Sequence, residues 1–126
     1  MTAPRRAARV VAGIGCTLGC PPQELRTLVA GAVAAAGGEL AALATIDRRA
    51  DEPAMRDAAA ELGVPLLTYS AEQLAATAVP NPSPTVQRHV GTSSVAEAAA
   101  LLSGTHLIVT KQRSQHATCA VAAWPE

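Results

Sequence analysis

The chain has 126 residues, 49% hydrophobic and 16% charged, and its ten basic and ten acidic side chains cancel to a formal charge of 0. That length suits a single domain, residues 1–126, with a radius of gyration of about 14 Å, and the abundance of apolar residues excludes intrinsic disorder. The balanced charge argues against a general nucleic-acid binder and against a polybasic membrane anchor.

The elements alternate between strand and helix. Ala8 to Ile14 is a short apolar run ending in glycine and reads as a buried strand. Pro21-Pro22 suits a helix start, Leu25, Leu28, Val29, Ala32 and Val33 recur at helical spacing, and Gly37-Gly38 ends the helix. Leu40 to Ile46 forms a second strand. Glu52 to Leu62 forms a second helix, closed by Gly63, and Val64 to Tyr69 a third strand. Ser70 and Gln73 have capping-box spacing for a short helix. Pro80 to Pro84 is neither helix nor central strand, and the stretch to Gly91 is expected to form a mobile wall. An alanine-rich helix follows from Ser94 to about Leu102. Thr105 to Thr110 and Ala117 to Ala123 are the last strands, joined by a connection too short for a parallel crossover. The expected fold is a three-layer α/β/α sandwich with a mixed sheet of about five strands, the last two antiparallel.

Phe is absent, with one Trp and one Tyr, so Ala, Val and Leu must fill the core. Cys16, Cys20 and Cys119 do not complete a disulfide framework. Arg5-Arg6 and the apolar residues after it superficially resemble a twin-arginine or lipoprotein leader, but Arg9 interrupts the run. No stretch approaches the roughly 20 apolar residues of a membrane span. These features point to the cytoplasm.

In an open α/β sheet, ligands gather outside the carboxyl ends of the parallel strands. Three loops should converge there, residues 13–19, 45–52 and 80–94. The first, with Gly13, Gly15 and Gly19, reads as a strand-to-helix turn whose N–H groups suit a carboxylate or phosphate. Cys16 beside a helix N-terminus is a candidate reactive thiol, and no metal site is expected from the cysteine and histidine spacing. Asp47 and Glu52 flank Arg48-Arg49, which suits either a polycarboxylate ligand or a solvated loop. Ser94 and Glu97 form a capping-box pattern, which accounts for both residues without catalysis. Lys111, the only lysine, stands at a strand end. Residue types and spacing leave the function open.

Four stretches together resemble a known family. They are Gly13-Ile14-Gly15-Cys16, Asp47-Arg48-Arg49-Ala50-Asp51-Glu52, Ser83-Pro84-Thr85-Val86 with Gly91-Thr92-Ser93-Ser94-Val95-Ala96-Glu97-Ala98-Ala99-Ala100, and Leu107 with Lys111 and Ala117-Thr118-Cys119-Ala120-Val121-Ala122. In this order they resemble the stand-alone CobE proteins of cobalamin biosynthesis and the equivalent C-terminal domain of CbiG, the cobalt-precorrin-5A hydrolase. The resemblance implies a role at the corrin-ring stage, binding or processing a carboxylate-fringed tetrapyrrole intermediate, in a hydrolase-related manner if it is an enzyme. It implies ligand contacts at Gly13, Gly15, Cys16, Asp47, Arg48, Arg49 and Glu52, and at Ser83, Gly91, Ser94, Glu97, Lys111 and Thr118. Cys16, Asp47 and Glu97 are then the candidates for catalysis, with no separate cofactor or resident metal. Partners would be other enzymes of that pathway or further copies of the chain. A non-catalytic domain docked on another pathway enzyme is the alternative, and a small nucleotide-binding domain is a third reading.

Overall fold

The structure is a computed structural model describing residues 8–80 and 95–125. Strand β1 (Arg9–Cys16) leads to helix α1 (Pro22–Ala36), then to β2 (Glu39–Ile46). A 3-10 turn (Asp47–Arg49) and helix α2 (Pro53–Leu62) follow, then β3 (Leu66–Tyr69) and the short α3 (Ala71–Ala75). Helix α4 (Val95–Ser103), β4 (Leu107–Arg113) and β5 (Ala117–Ala123) complete the order. The expected wall from Pro80 to Gly91 lies, after Pro80, outside the described residues, as do Ser83, Gly91 and Ser94. Among the described residues, no helix is long and apolar enough to cross a membrane.

The helix boundaries follow local chemistry. Both α1 and α2 open with proline in the first turn, where its missing N–H costs nothing. Both close on a left-handed glycine, Gly37 at φ 73° and Gly63 at φ 66°, a conformation costly for any residue with a β-carbon. Helix α3 has the expected capping box: the Gln73 N–H donates to Ser70 Oγ at 3.1 Å and the Ser70 N–H to Gln73 Oε1 at 2.8 Å.

The sheet order is β3-β2-β1-β5-β4. Strands β1, β2 and β3 are parallel, and β5 runs antiparallel between β1 and β4. This is the anticipated mixed five-stranded α/β fold. Strand β1 runs two residues beyond its expected end at Ile14. The cause is tertiary: Gly13 pairs with both Ala44 and Ala120, and Gly15 and Cys16 pair with Thr118 and Ala117, so ladders outweigh the local cost of glycine. Gly13, Gly15 and Cys16 therefore belong to a strand and not to the loop that their spacing predicts. Strand β4 likewise reaches Arg113 and not Thr110, because β5 supplies it with a partner as far as Thr118.

Alternation along the strands divides the core in two. Val10, Ala12 and Ile14 of β1, with Leu43, Cys119 and Val121, face Leu25 and Val29 of α1 and Met55 of α2. Val11, with Ala42, Ala44, Ala120 and Ala122, faces α4, which presents Ala96, Ala99 and Ala100. The second layer is thin because small residues meet small residues. It is closest at Gly13, where an added β-carbon would overlap the Ala96 carbonyl oxygen and stand 2.6 Å from the Ala100 nitrogen. Both obstacles are backbone, so the helix itself would have to move.

Gly13→Ala is therefore expected to destabilise the fold by about 3 kcal/mol, the upper range for overpacking. Gly31→Ala, inside α1 with open space around the new methyl, should be neutral or stabilise by up to about 1 kcal/mol. Urea unfolding of the two variants beside the parent checks both signs.

Candidate functional site

The carboxyl ends of β1 and β2 fall at Cys16 and Ile46, and Cys16 pairs with Ala117 at the start of β5. The β4–β5 turn, Ser114 to His116, therefore stands at the same edge as the β1–α1 and β2–α2 loops. Hydrogen bonds knit the three together. The Gly19 N–H donates to Glu52 Oε1 at 2.9 Å, joining the first loop to the second. The Thr17 N–H donates to the His116 carbonyl at 2.9 Å, joining it to the hairpin. Between these two ties Leu18 projects with 73% of its surface exposed.

Glu24, in the first turn of α1, is the hub of the hairpin. Its Oε2 accepts from Ser114 Oγ at 2.5 Å and from the His116 N–H at 2.6 Å, while Oε1 lies 2.8 Å from His116 Nδ1. Hydrogen bonds from Ser114 and His116 favour the carboxylate and hold Glu24 at a pKa of about 2, against an ordinary 4.5. Nothing local in the sequence pairs positions 24 and 116, which are 92 residues apart. An acidic residue in a helix's first turn reads only as a complement to the dipole.

The residues expected to form the site are distributed along this edge. Arg48 and Arg49 occupy the 3-10 turn after β2, Arg48 exposed and Arg49 half-buried, with Asp47 exposed beside them. Glu52 is the N-cap residue of α2, yet its side chain serves Gly19. Cys16 is half-buried and feels both Glu52 and Arg49. It is not the activated thiol that a helix N-terminus predicts. Burial, then the neighbouring Cys20 and Glu52, push its pKa up to about 12, so it is a protonated thiol at neutral pH. Cys20 is raised by burial as well, and Cys119, inside β5, is pushed to about 12 for the same reason.

Lys111 is not at a strand end. It lies within β4, three residues before Ser114, at an irregularity where Thr110 and Lys111 together stand opposite the single residue Ala120. This bulge lets both Val109 and Gln112 line the groove against α1, a spacing that regular alternation forbids. The Lys111 N–H is met by Glu97 Oε2 at 3.0 Å. Glu97 is fully buried on α4, so its carboxylate ties that helix to the edge strand, a long-range role beyond the capping box that its sequence pattern predicts. Burial and the nearby Arg113 lower the Lys111 pKa, and Glu97 opposes them. Thr118 lies on β5 opposite Gly15, where its Oγ1 takes the space of a β-carbon. Strands β2 and β4 are three strand spacings apart, about 14 Å, so Arg48-Arg49 and Lys111 flank the edge and do not form one cluster.

A concavity of about 770 Å³ runs between α1 and β4, lined by Leu28, Gly31 and Ala32 on one side and Val109 and Gln112 on the other, with Glu24 and Ser114 at its hairpin end. Among the described residues, its lining has no cation. Among the described residues, no group of three or more His, Cys, Asp or Glu is arranged to hold a metal ion.

Residues 10–122 match the family model for the cobalamin synthesis G C-terminus. The chain belongs to that family. Its members share this domain, and the chain is accordingly a protein of cobalamin biosynthesis. It is 40% identical over 126 aligned positions to protein CobE of a Sinorhizobium species, covering 94% of this chain and 82% of that protein. It superposes on the crystal structure of CobE from the cobalamin (vitamin B12) biosynthetic pathway with a TM-score of 0.82 and 34% identity, over 99% of this chain and 96% of that one. It is also 30% identical to the cobalt-precorrin-5A hydrolase of Priestia megaterium, over 90% of this chain but only 32% of that enzyme.

The Glu24 hub sets a pH dependence of defined sign. A carboxyl depressed to about 2 in the folded state contributes stability that is complete above its ordinary 4.5 and lost as the pH falls towards 2. The Tm of the parent should exceed that of Glu24→Gln at pH 7, and the gap should close between about pH 5 and pH 2. Cys16 in the folded protein should react with iodoacetamide at neutral pH at least about a hundredfold more slowly than free cysteine, as timed alkylation and mass analysis will read.

Proposed function

We propose that the protein binds a tetrapyrrole intermediate of corrin synthesis across the carboxyl edge of its sheet. The observation that carries this reading is the composition of that edge. An exposed apolar residue, Leu18, is held in a loop pinned on both sides of it, with Arg48 and Arg49 on the β2 side and the imidazole of His116 on the hairpin side. A flat macrocycle fringed by carboxylates needs an apolar contact for its face and bidentate cations for its rim. The groove between α1 and β4 meets only the first need, since among the described residues its charged lining is Glu24 alone. Family membership and the likeness to a cobalt-precorrin-5A hydrolase support the same ligand class.

Binding is favoured over turnover by this chain alone. Two of the three candidates for catalysis have other work: Cys16 is a protonated, half-buried thiol, and Glu97 is enclosed and bonded to the Lys111 N–H. Asp47, exposed beside the arginines, is free to face a ligand. In the reading we adopt, the domain holds the intermediate, and any hydrolase chemistry belongs to the remaining two-thirds of the longer relative.

Titration with a cobalt-loaded and a metal-free precorrin under anaerobic conditions tests this. Binding should weaken with salt, and Arg48→Ala with Arg49→Ala should weaken it by about 10-fold or more, because a charge-assisted hydrogen bond contributes about 1.5–3 kcal/mol. Lys111→Ala, on β4 and set back from the carboxyl edge, should have the smaller effect. Affinity indifferent to both salt and the arginine pair would overturn the reading, and tight binding of a dinucleotide in its place would favour the nucleotide alternative.

A further inference from the structure

We infer that His116 is an axial ligand for the cobalt of a metallated tetrapyrrole, presented by Glu24. The inference rests on the binding reading above and deepens it, because it selects the cobalt-bearing form of the intermediate.

The geometry leaves one ring nitrogen of His116 held by a carboxylate and the other towards solvent. His116 Nδ1 lies 2.8 Å from a carboxylate oxygen, an acceptor only, so in the neutral ring the proton sits on Nδ1 and the lone pair on Nε2. A histidine that ligates a metal characteristically donates its other ring N–H to a carboxylate, which fixes the tautomer and strengthens the donor nitrogen. The ring is held firmly: its own backbone N–H is bonded to the same carboxylate at 2.6 Å and its carbonyl accepts from Thr17 at 2.9 Å. Yet 38% of the side chain is open to solvent, and among the described residues Nε2 has no hydrogen-bonding partner.

The type of metal follows from the number of donors. Among the described residues, no group of three or more His, Cys, Asp or Glu surrounds His116, and the neighbouring Glu24 is engaged at Nδ1. A single imidazole does not cage a bare ion, but it completes the coordination of a metal already held in the plane of a macrocycle. The balance is simple: Nε2 donates its lone pair to cobalt, the axial water leaves, and the Nδ1 proton stays in its bond to Glu24. The oxidation state of the metal is unchanged.

The probe is cobyrinic acid, a cobalt corrin with free carboxylates and open axial positions, reduced to its cobalt(II) form and studied by electron paramagnetic resonance. Bound to the protein, it should show each axial cobalt line split into a triplet by one nitrogen, and labelling histidine with the heavier nitrogen isotope should turn the triplet into a doublet. His116→Ala should abolish the splitting and remove the preference for cobyrinic acid over its cobalt-free counterpart, which we expect to be about 10-fold. Glu24→Gln should weaken both. The isotope experiment uses the unmutated protein, and His89→Gln with His106→Gln, which leaves His116 the only histidine, should retain the splitting, so the test survives a His116 variant that fails to fold. Binding of both corrins without nitrogen splitting would overturn the inference and leave the binding reading intact. Splitting that persists in a folded His116→Ala variant would overturn it as well. Failure of both corrins to bind would overturn the two together.

Discussion

The backbone of α4 lies directly on Gly13 of β1, and the rest of the molecule is arranged around that approach. A chain without Phe has little bulk with which to hold helix and sheet apart. On this face it uses Ala42, Ala44, Ala120 and Ala122 against Ala96, Ala99 and Ala100, and at the closest point no side chain at all. Interior packing tolerates neither voids nor overlap, so the glycine and the alanines specify one distance between the layers. That distance lets a buried Glu97 reach from the helix to the N–H of Lys111 on the edge strand. It thereby fixes the bulge that turns Gln112 towards the opposite face.

The two faces of the sheet have different tasks. The α4 face is packed mainly by alanines, with Tyr69 and Trp124 at its margins. The α1 and α2 face is held by larger side chains, Leu25, Val29, Leu43 and Met55, and by an ion pair at 2.9 Å between Arg26 and Asp57 that bridges the two helices. The proposed site is on neither face. It lies at the carboxyl edge, where backbone donors of the β1–α1 loop and the β4–β5 turn are satisfied by two glutamates, Glu52 and Glu24, acting across long sequence distances. These bonds order loops that would otherwise pay a conformational cost on meeting a ligand. Preorganisation of this kind suits a protein that receives a large, rigid macrocycle.

The proposed site is legible in part from the sequence. Arg48, Arg49, Asp47 and Glu52 could be singled out because they are contiguous and polar in a chain of few charges. The glycines at 13 and 15 were legible as special but not in their role: spacing marks a tight turn, whereas pairing on both sides draws them into a strand and the approach of α4 requires the first to lack a β-carbon. Cys16 illustrates a similar limit, since Arg49 lowers its pKa but burial acts the other way and prevails. Glu24, Ser114 and His116 were invisible as a group, because each has an ordinary local explanation.

By itself, the sequence determined the alternation of strands and helices, the capping residues, the mixed sheet and, through four short stretches in order, the family. Those features are local or nearly so: hydrophobic period, proline and glycine at helix ends, and a turn too short for a crossover each act within a few residues. Only the tertiary structure decided where β1 and β4 end, which way Lys111 and Gln112 divide at the bulge, and that Glu24 and Glu97 are cross-links between distant segments. Ladders, burial and hydrogen bonds between residues far apart in the chain have no local counterpart. Their free energy exists only when the partners have been brought together by the fold.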